Sequence, residues 1–178
     1  MPDGACDILF AFHEGDANIL CDRGIDDPLI AIKPYLEKAG WKKTVNEYFH
    51  TQYEFEKAGI DFDLLGKIKI INENKTKCFI GSNQNYHRKA YLIKAMKLNE
   101  TFDESYFSCD FQYIKPEKEY WENAFARIYK RIPGIKRNEI HFFDDRIENI
   151  DSANRYGFKS VHINNREEIN GILEEELS

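Results

Sequence analysis

IHFFDDRIENIDSANRYGFKSVHI (140–163) reads as strand, helix and strand in close succession. With Glu139 before it, the first apolar run ends at Phe143, and two acids follow it. RIENIDSANRYG (146–157) repeats its apolar positions at helix spacing and closes on Gly157, a residue that accepts the left-handed backbone on which helices end. KSVHI (159–163) is a second short strand. Two strands joined through a helix make the unit of a parallel sheet, because parallel neighbours need a connection long enough to carry the chain back. The same alternation runs outward in both directions. REEINGILEEEL (166–177) follows as a helix, while PEKEYWENAFARIYKRI (116–132) and NQNYHRKAYLIKAMKL (83–98) are helices before it. SYFSCDF (105–111), with its exit loop, and KCFIG (77–81) are the strands between them. IDFDLLGKIKIINENK (60–75) is apolar at helix period. Helical spacing dominates 28–59, with Gly40 and Gly59 as expected stops and Pro34 as a start or kink. HEGDANILCDRGIDD (13–27) is loop-like, and the apolar CDILFAF (6–12) is expected to be a buried strand. The pattern predicts an α/β chain, with helices on both faces of a parallel sheet, in a single domain over 1–178.

In such sheets ligands bind beyond the carboxyl ends of the strands, so the residues just after each strand carry the functional reading. Ser82 and Asn83 follow KCFIG, Lys115 follows the third strand through a loop, and Asp144 and Asp145 follow EIHFF. Adjacent carboxylates repel unless something neutralises them. A hard cation does so, and Mg²⁺ prefers carboxylate, water and phosphate oxygens. A hydroxyl such as Ser82 can donate to a phosphoryl oxygen, and an ammonium such as Lys115 can offset its charge. Each residue also has an ordinary use. Acids at a helix start cap it, a serine after a strand caps a turn, and a lysine before proline is commonly solvated. The order of all three, each behind a strand, is the stronger signal.

CFIGSNQNYHRKAYL, YIKPEKEYWENA and IHFFDDRIENIDSANRYGFKSVHI resemble, in order, the second, third and fourth motifs of the haloacid dehalogenase-like (HAD) hydrolase superfamily. The resemblance covers roughly the last hundred residues, and its fourth motif is the most specific. It implies a three-layer, Rossmann-like sheet of five parallel strands and Mg²⁺-dependent hydrolysis of a small phosphorylated metabolite through an aspartyl-phosphate. Carried over, Ser82 would hold the transferring phosphoryl group, and Lys115 would pair with it and with the nucleophile. Asp144 and Asp145 would hold Mg²⁺, with Asn149 supporting the metal. Asn83 would line the substrate pocket or serve a helix start. The family's small helical cap, which normally chooses the substrate, would fall at 22–59. Tyr48, His50, Tyr53 and Phe55 are candidates to face the pocket there, or to pack as the cap's own aromatics.

The first motif departs from the family. Its nucleophile, an aspartate directly after the first strand, would fall on Ala11 with His13 as acid/base, or on Phe12 with Glu14. Asp16 is the nearest substitute carboxylate. Loss of an attacking carboxylate removes most of the rate. An alternative expectation is therefore a catalytically impaired relative that binds a phosphorylated ligand or a protein partner. A receiver-type signalling domain fits less well, since its acid pair follows the first strand.

The remaining composition bounds partners and setting. Hydrophobic residues make up 42% of the 178 residues and aromatic residues 14%, enough for a core without staples. Net charge is −6 with no basic stripe, which argues against nucleic acid. Cys6, Cys21, Cys78 and Cys109 form no C-x-x-C pair and are expected as reduced thiols rather than zinc ligands. No apolar run reaches membrane-spanning length and no signal peptide is visible, so the expected setting is cytoplasmic, without membrane partners.

Overall fold

The computed structural model describes residues 4–74 and 76–177. Its elements are α1 (Ala5–His13), α2 (Asp16–Asp22), α3 (Pro28–Ala31), α4 (Lys33–Lys38), α5 (Val45–Ala58) and α6 (Phe62–Glu73), then β1 (Phe79–Ser82), α7 (Tyr86–Lys94), β2 (Glu104–Phe107), α8 (Ser108–Phe111), α9 (Lys118–Arg131), β3 (His141–Asp144), α10 (Ile147–Tyr156), β4 (Lys159–His162) and α11 (Arg166–Leu177). They sort into two compact units that interleave along the chain. The first takes the chain up to Asp61, with Asn83–Leu98 and Phe107–Gln112. The second takes Phe62–Ser82, Asn99–Tyr106 and everything from Tyr113 onward.

The first unit is helical. CDILFAF, expected as a strand, forms most of α1. Its buried residues Ala5, Leu9 and Phe12 recur at helix spacing and line one face, while Phe10 on another face is 67% exposed. A short apolar run does not by itself separate strand from buried helix. Those three pack with Cys21, Ile32, Leu36, Ala39, Phe49 and Tyr53 into the unit's core. Burial of a side chain the size of Phe12 is worth about 1.5–3 kcal/mol. The segment 13–27, read as a loop, contains α2, which begins directly after Gly15. Pro34 lies in the first turn of α4, where its missing N–H costs nothing. Thr44 and Glu47 form a reciprocal capping box at the start of α5. Gly24 has φ 69°, and a Cβ there would stand 2.8 Å from the Cys109 carbonyl oxygen and 2.6 Å from the Tyr86 ring. Both its backbone and its close approach therefore require glycine.

The second unit carries the strands. β3 and β4 pair in parallel, with His141 opposite Lys159 and Asp144 opposite His162, and α10 is their crossover. Gly157 ends α10 at φ 106°, and its N–H bonds back to the Ala153 carbonyl at 3.1 Å. β1 and β2 form a separate pair. The Asn72 side chain, at the end of α6, accepts from the Cys78 N–H at 3.0 Å and donates to the Thr101 carbonyl at 3.2 Å, fixing the approaches to both strands. Trp121 of α9 is 2% exposed and packs edge-on against Phe142 and Phe158, with centroids at 4.8 and 5.7 Å. Its indole N–H donates to the Ser152 hydroxyl at 2.9 Å, which donates to the Pro116 carbonyl at 2.7 Å. Lys67 of α6 reaches Asn170 and Glu174 of α11 at 3.0 and 2.7 Å. The expected single sheet of five strands is thus corrected: among the described residues four strands form two pairs, and the run assigned to the missing strand is α1. Among the described residues no helix is long and apolar enough to cross a membrane.

Candidate functional site

The exits of β1 and β3 meet a buried polar cluster in the second unit. Asp144 is the last residue of β3 and is 9% exposed, as is Lys115. The Lys115 ammonium contacts Asp144 Oδ2 directly. Asp144 Oδ1 accepts from Asn149 Nδ2 at 2.8 Å and from the Arg146 N–H at 2.9 Å. Both oxygens of this carboxylate are therefore engaged, which is what makes burial of a charge tolerable. The turn from β3 into α10 explains the convergence: the Arg146 amide folds back on Asp144, and Asn149 returns to it on the first turn of the helix.

Ser82 is tied to the same cluster through Tyr120, which is fully buried on α9. The Ser82 backbone N–H donates to the Tyr120 hydroxyl, which in turn donates to the Tyr106 carbonyl at 2.7 Å. Burial, and then the charge of Asp144, hold the Tyr120 hydroxyl well above the usual phenolic range, so it serves as a neutral spacer. A Cβ on Gly81 would stand 3.0 Å from that hydroxyl and 3.8 Å from the Phe142 ring, so β1 passes close to α9 and β3. Asp145 is exposed, and its carbonyl bonds His162 Nε2 at 2.9 Å. Tyr120 was not among the residues singled out in the sequence, where an aromatic at helix spacing reads as ordinary core.

One feature of the cluster is compatible with a hard divalent cation. Asn149 Oδ1 is buried without a hydrogen-bond partner, while its amide nitrogen is fixed on Asp144. Among the described residues no three His, Cys, Asp or Glu side chains gather as a metal cage. An amide oxygen left over beside Asp144 is a hard donor of the type Mg²⁺ accepts together with carboxylate, water and phosphate oxygens.

Asn83 lies in the first unit, where it lines a polar cavity of about 190 Å³ together with His13, Asp22, Gln52, Tyr53 and Arg88. Burial pushes the Asp22 carboxyl up to about 7, against the opposing effect of an N–H donated by Asn85. Burial likewise lowers the His13 pKa, and its Nε2 shares a 3.0 Å hydrogen bond with the Tyr48 hydroxyl. Arg88 is paired with Glu56, and its guanidinium lies 4.8 Å from the Tyr53 ring centroid. Of the aromatic and histidine candidates on α5, Tyr53 lines the cavity and Tyr48 supports it, while His50 is exposed and Phe55 is 82% exposed. Ala11 and Phe12 lie within α1, and Asp16 opens α2, so none of the three follows a strand.

Asp22 gives the first unit a pH-dependent stability. Its folded pKa is raised above the unfolded value of 3.8, so its contribution is fully present in acid and is lost as pH rises toward about 7. A shift of that size corresponds to roughly 4 kcal/mol as an upper figure. Denaturant titrations at pH 5 and pH 8 are expected to find the wild type less stable at the higher pH. Asp22→Asn should flatten this difference, and an equal slope in both proteins would refute it.

The Haloacid dehalogenase-like hydrolase family model matches residues 28–163. No curated protein sequence matches the chain. Among solved structures, a protein from Porphyromonas gingivalis described as a HAD-like family hydrolase superposes with TM-score 0.72 at 20% identity, covering 97% of this chain and 84% of that one. The HAD-hydrolase YfnB from Bacillus subtilis, bound to magnesium, superposes with TM-score 0.65 at 18% identity, covering 98% and 84%. A HAD family enzyme from Bacteroides thetaiotaomicron, in complex with magnesium and inorganic phosphate, gives TM-score 0.63 at 21% identity, covering 89% and 80%. At these identities the structures establish a shared fold. With the family model spanning most of its length and the strand-exit cluster falling inside the matched segment, the chain belongs to the haloacid dehalogenase-like hydrolases.

Proposed function

We propose that the β1 and β3 exits form a phosphoryl- and Mg²⁺-binding site, and that the chain is a phosphohydrolase of small phosphorylated metabolites. The observation that carries this reading is the buried Lys115–Asp144–Asn149 cluster at the end of β3. Ser82 would donate its hydroxyl to a phosphoryl oxygen, and Lys115, held in place by Asp144, would offset the group's charge. Asp144 and Asp145 would hold Mg²⁺, with Asn149 supporting them. When bound, the ion would neutralise the acid pair and the phosphoryl oxygens. In this reading 22–59 acts as the cap, with Asn83 contributing to ligand selection. Four free cysteines accord with a reducing, cytoplasmic setting.

A second reading, binding without turnover, is favoured by one finding. The run that should carry the attacking carboxylate is helical, and neither Ala11 nor Phe12 supplies one. Para-nitrophenyl phosphate with Mg²⁺ separates the two. Hydrolysis that falls at least tenfold in Asp145→Asn supports the first. Thermal stabilisation by Mg²⁺ plus inorganic phosphate, without turnover and weakened in Asp145→Asn, supports the second. Absence of both effects sinks both readings.

A further inference from the structure

We infer that the outward face of α6 is a self-association surface, on which two copies of the chain pair antiparallel about a two-fold axis through Gly66. The inference goes beyond the phosphoryl site and uses none of its residues. α6 turns Ile71, 5% exposed, into the chain, and Lys67 holds the helix to α11. Phe62, Asp63, Gly66, Lys69 and Ile70 lie on the opposite side and are all exposed. Phe62 is 68% exposed and Ile70 49%, one turn to either side of Gly66. A glycine inside a helix costs stability relative to alanine, so its place there needs a physical reason. Packing within the chain supplies none. Gly66 has ordinary helical backbone, and a Cβ on it would meet no atom of the described residues within 4 Å. A glycine at a crossing point does let a second helix approach at a short interaxial distance.

The spacing about Gly66 selects a second copy as that helix. Phe62 stands four residues before Gly66 and Ile70 four after it, while Asp63 stands three before and Lys69 three after. Antiparallel copies centred on Gly66 therefore set each Phe62 against Ile70 of the partner subunit, and each Asp63 against Lys69 of the partner subunit. One face thus complements itself in both apolar contact and charge, as a two-fold interface requires. A parallel pairing would instead oppose like charges at both positions. Among the described residues neither Asp63 nor Lys69 makes an ion pair within the chain, so both charges are available to a partner. The contact is small, a single helix against its copy, so association in the micromolar range is expected.

Sedimentation velocity of the full chain over a hundredfold range of concentration tests this, and a monomer–dimer equilibrium is the expected result. Gly66→Leu should weaken it tenfold or more while leaving the thermal midpoint of the dilute monomer unchanged or raised, since leucine is the better helix former and has open space there. Asp63→Lys and Lys69→Asp should each abolish self-association, because two like-charged pairs then face each other. Mixing those two variants should restore dimers, as should combining both changes in one chain, because each arrangement again opposes a lysine to an aspartate. A structural defect in either variant would not be rescued in this way. Asp145→Asn should leave the dimer intact, so failure of the phosphoryl site and failure of this surface are distinguishable. A wild type that stays monomeric throughout would assign the face to a different partner and overturn the inference. So would a dimer indifferent to all three single substitutions, or no association when the two charge variants are mixed.

Discussion

Lys115→Ala is expected to destabilise the protein by about 3–5 kcal/mol, because it strands a buried carboxylate. Asp144 has a side chain only 5% exposed, and the Lys115 ammonium is its ionic partner. The hydrogen bonds from Asn149 and Arg146 remain in the variant, but they solvate the charge without neutralising it. Pairing the change with Asp144→Leu removes the stranded charge and replaces it with apolar volume. The double variant Lys115→Ala/Asp144→Leu should therefore recover much of the loss while abolishing any Mg²⁺ response. Urea denaturation of the wild type, both single variants and the double variant measures the coupling. A loss under about 1 kcal/mol for Lys115→Ala would mean that the pair is solvated and of little structural consequence.

Trp121→Ala should be comparably severe, at about 3–5 kcal/mol, from a different cause. The indole fills the space between α9 and the β3–β4 ladder, touching Phe142 and Phe158, and truncation leaves a cavity that two aromatic neighbours cannot close without leaving their rotamers. Trp121→Phe separates packing from hydrogen bonding. It keeps most of the contact and removes the donor to Ser152, whose own bond to Pro116 persists, so about 1–2 kcal/mol is expected. Denaturation midpoints with unchanged m-values would attribute both losses to the native state. Equal losses in the two variants would show that the hydrogen bond, and not the ring volume, dominates.

The β3–α10–β4 segment was legible because its signals agree: a strand-length run, a helix-period stripe and a glycine at the left-handed closing position. Asp144 was legible as an acid directly after a strand and Lys115 as a lysine behind the loop of an earlier strand, whereas Asn149 came into view only through the family resemblance. CDILFAF was misread because its six apolar residues around Asp7 suit a buried strand and a buried helix alike, and tertiary packing of Leu9 and Phe12 decides between them. That one run removed the fifth strand and with it any register for an attacking carboxylate. Tyr120 stayed invisible because nothing in EKEYWENA distinguishes an aromatic that bridges Ser82 and Tyr106 from one that merely packs. Asp22 and Arg88 were hidden for a related reason. A charged side chain in a polar stretch reads as solvated, and only the fold reveals that it is enclosed.

The interleaving of the two units has a consequence for synthesis on the ribosome. All segments of the first unit have been translated once Gln112 is added, whereas the second still lacks α9, β3 and β4. At about 5–20 residues per second, the remaining stretch takes roughly 3–13 s to emerge. During that interval the nascent β1–β2 pair lacks the second strand pair of its unit, and Lys67 of α6 has no α11 to grip. Vectorial production thus leaves the helical half ready early and makes the strand-bearing half the natural client of a chaperone.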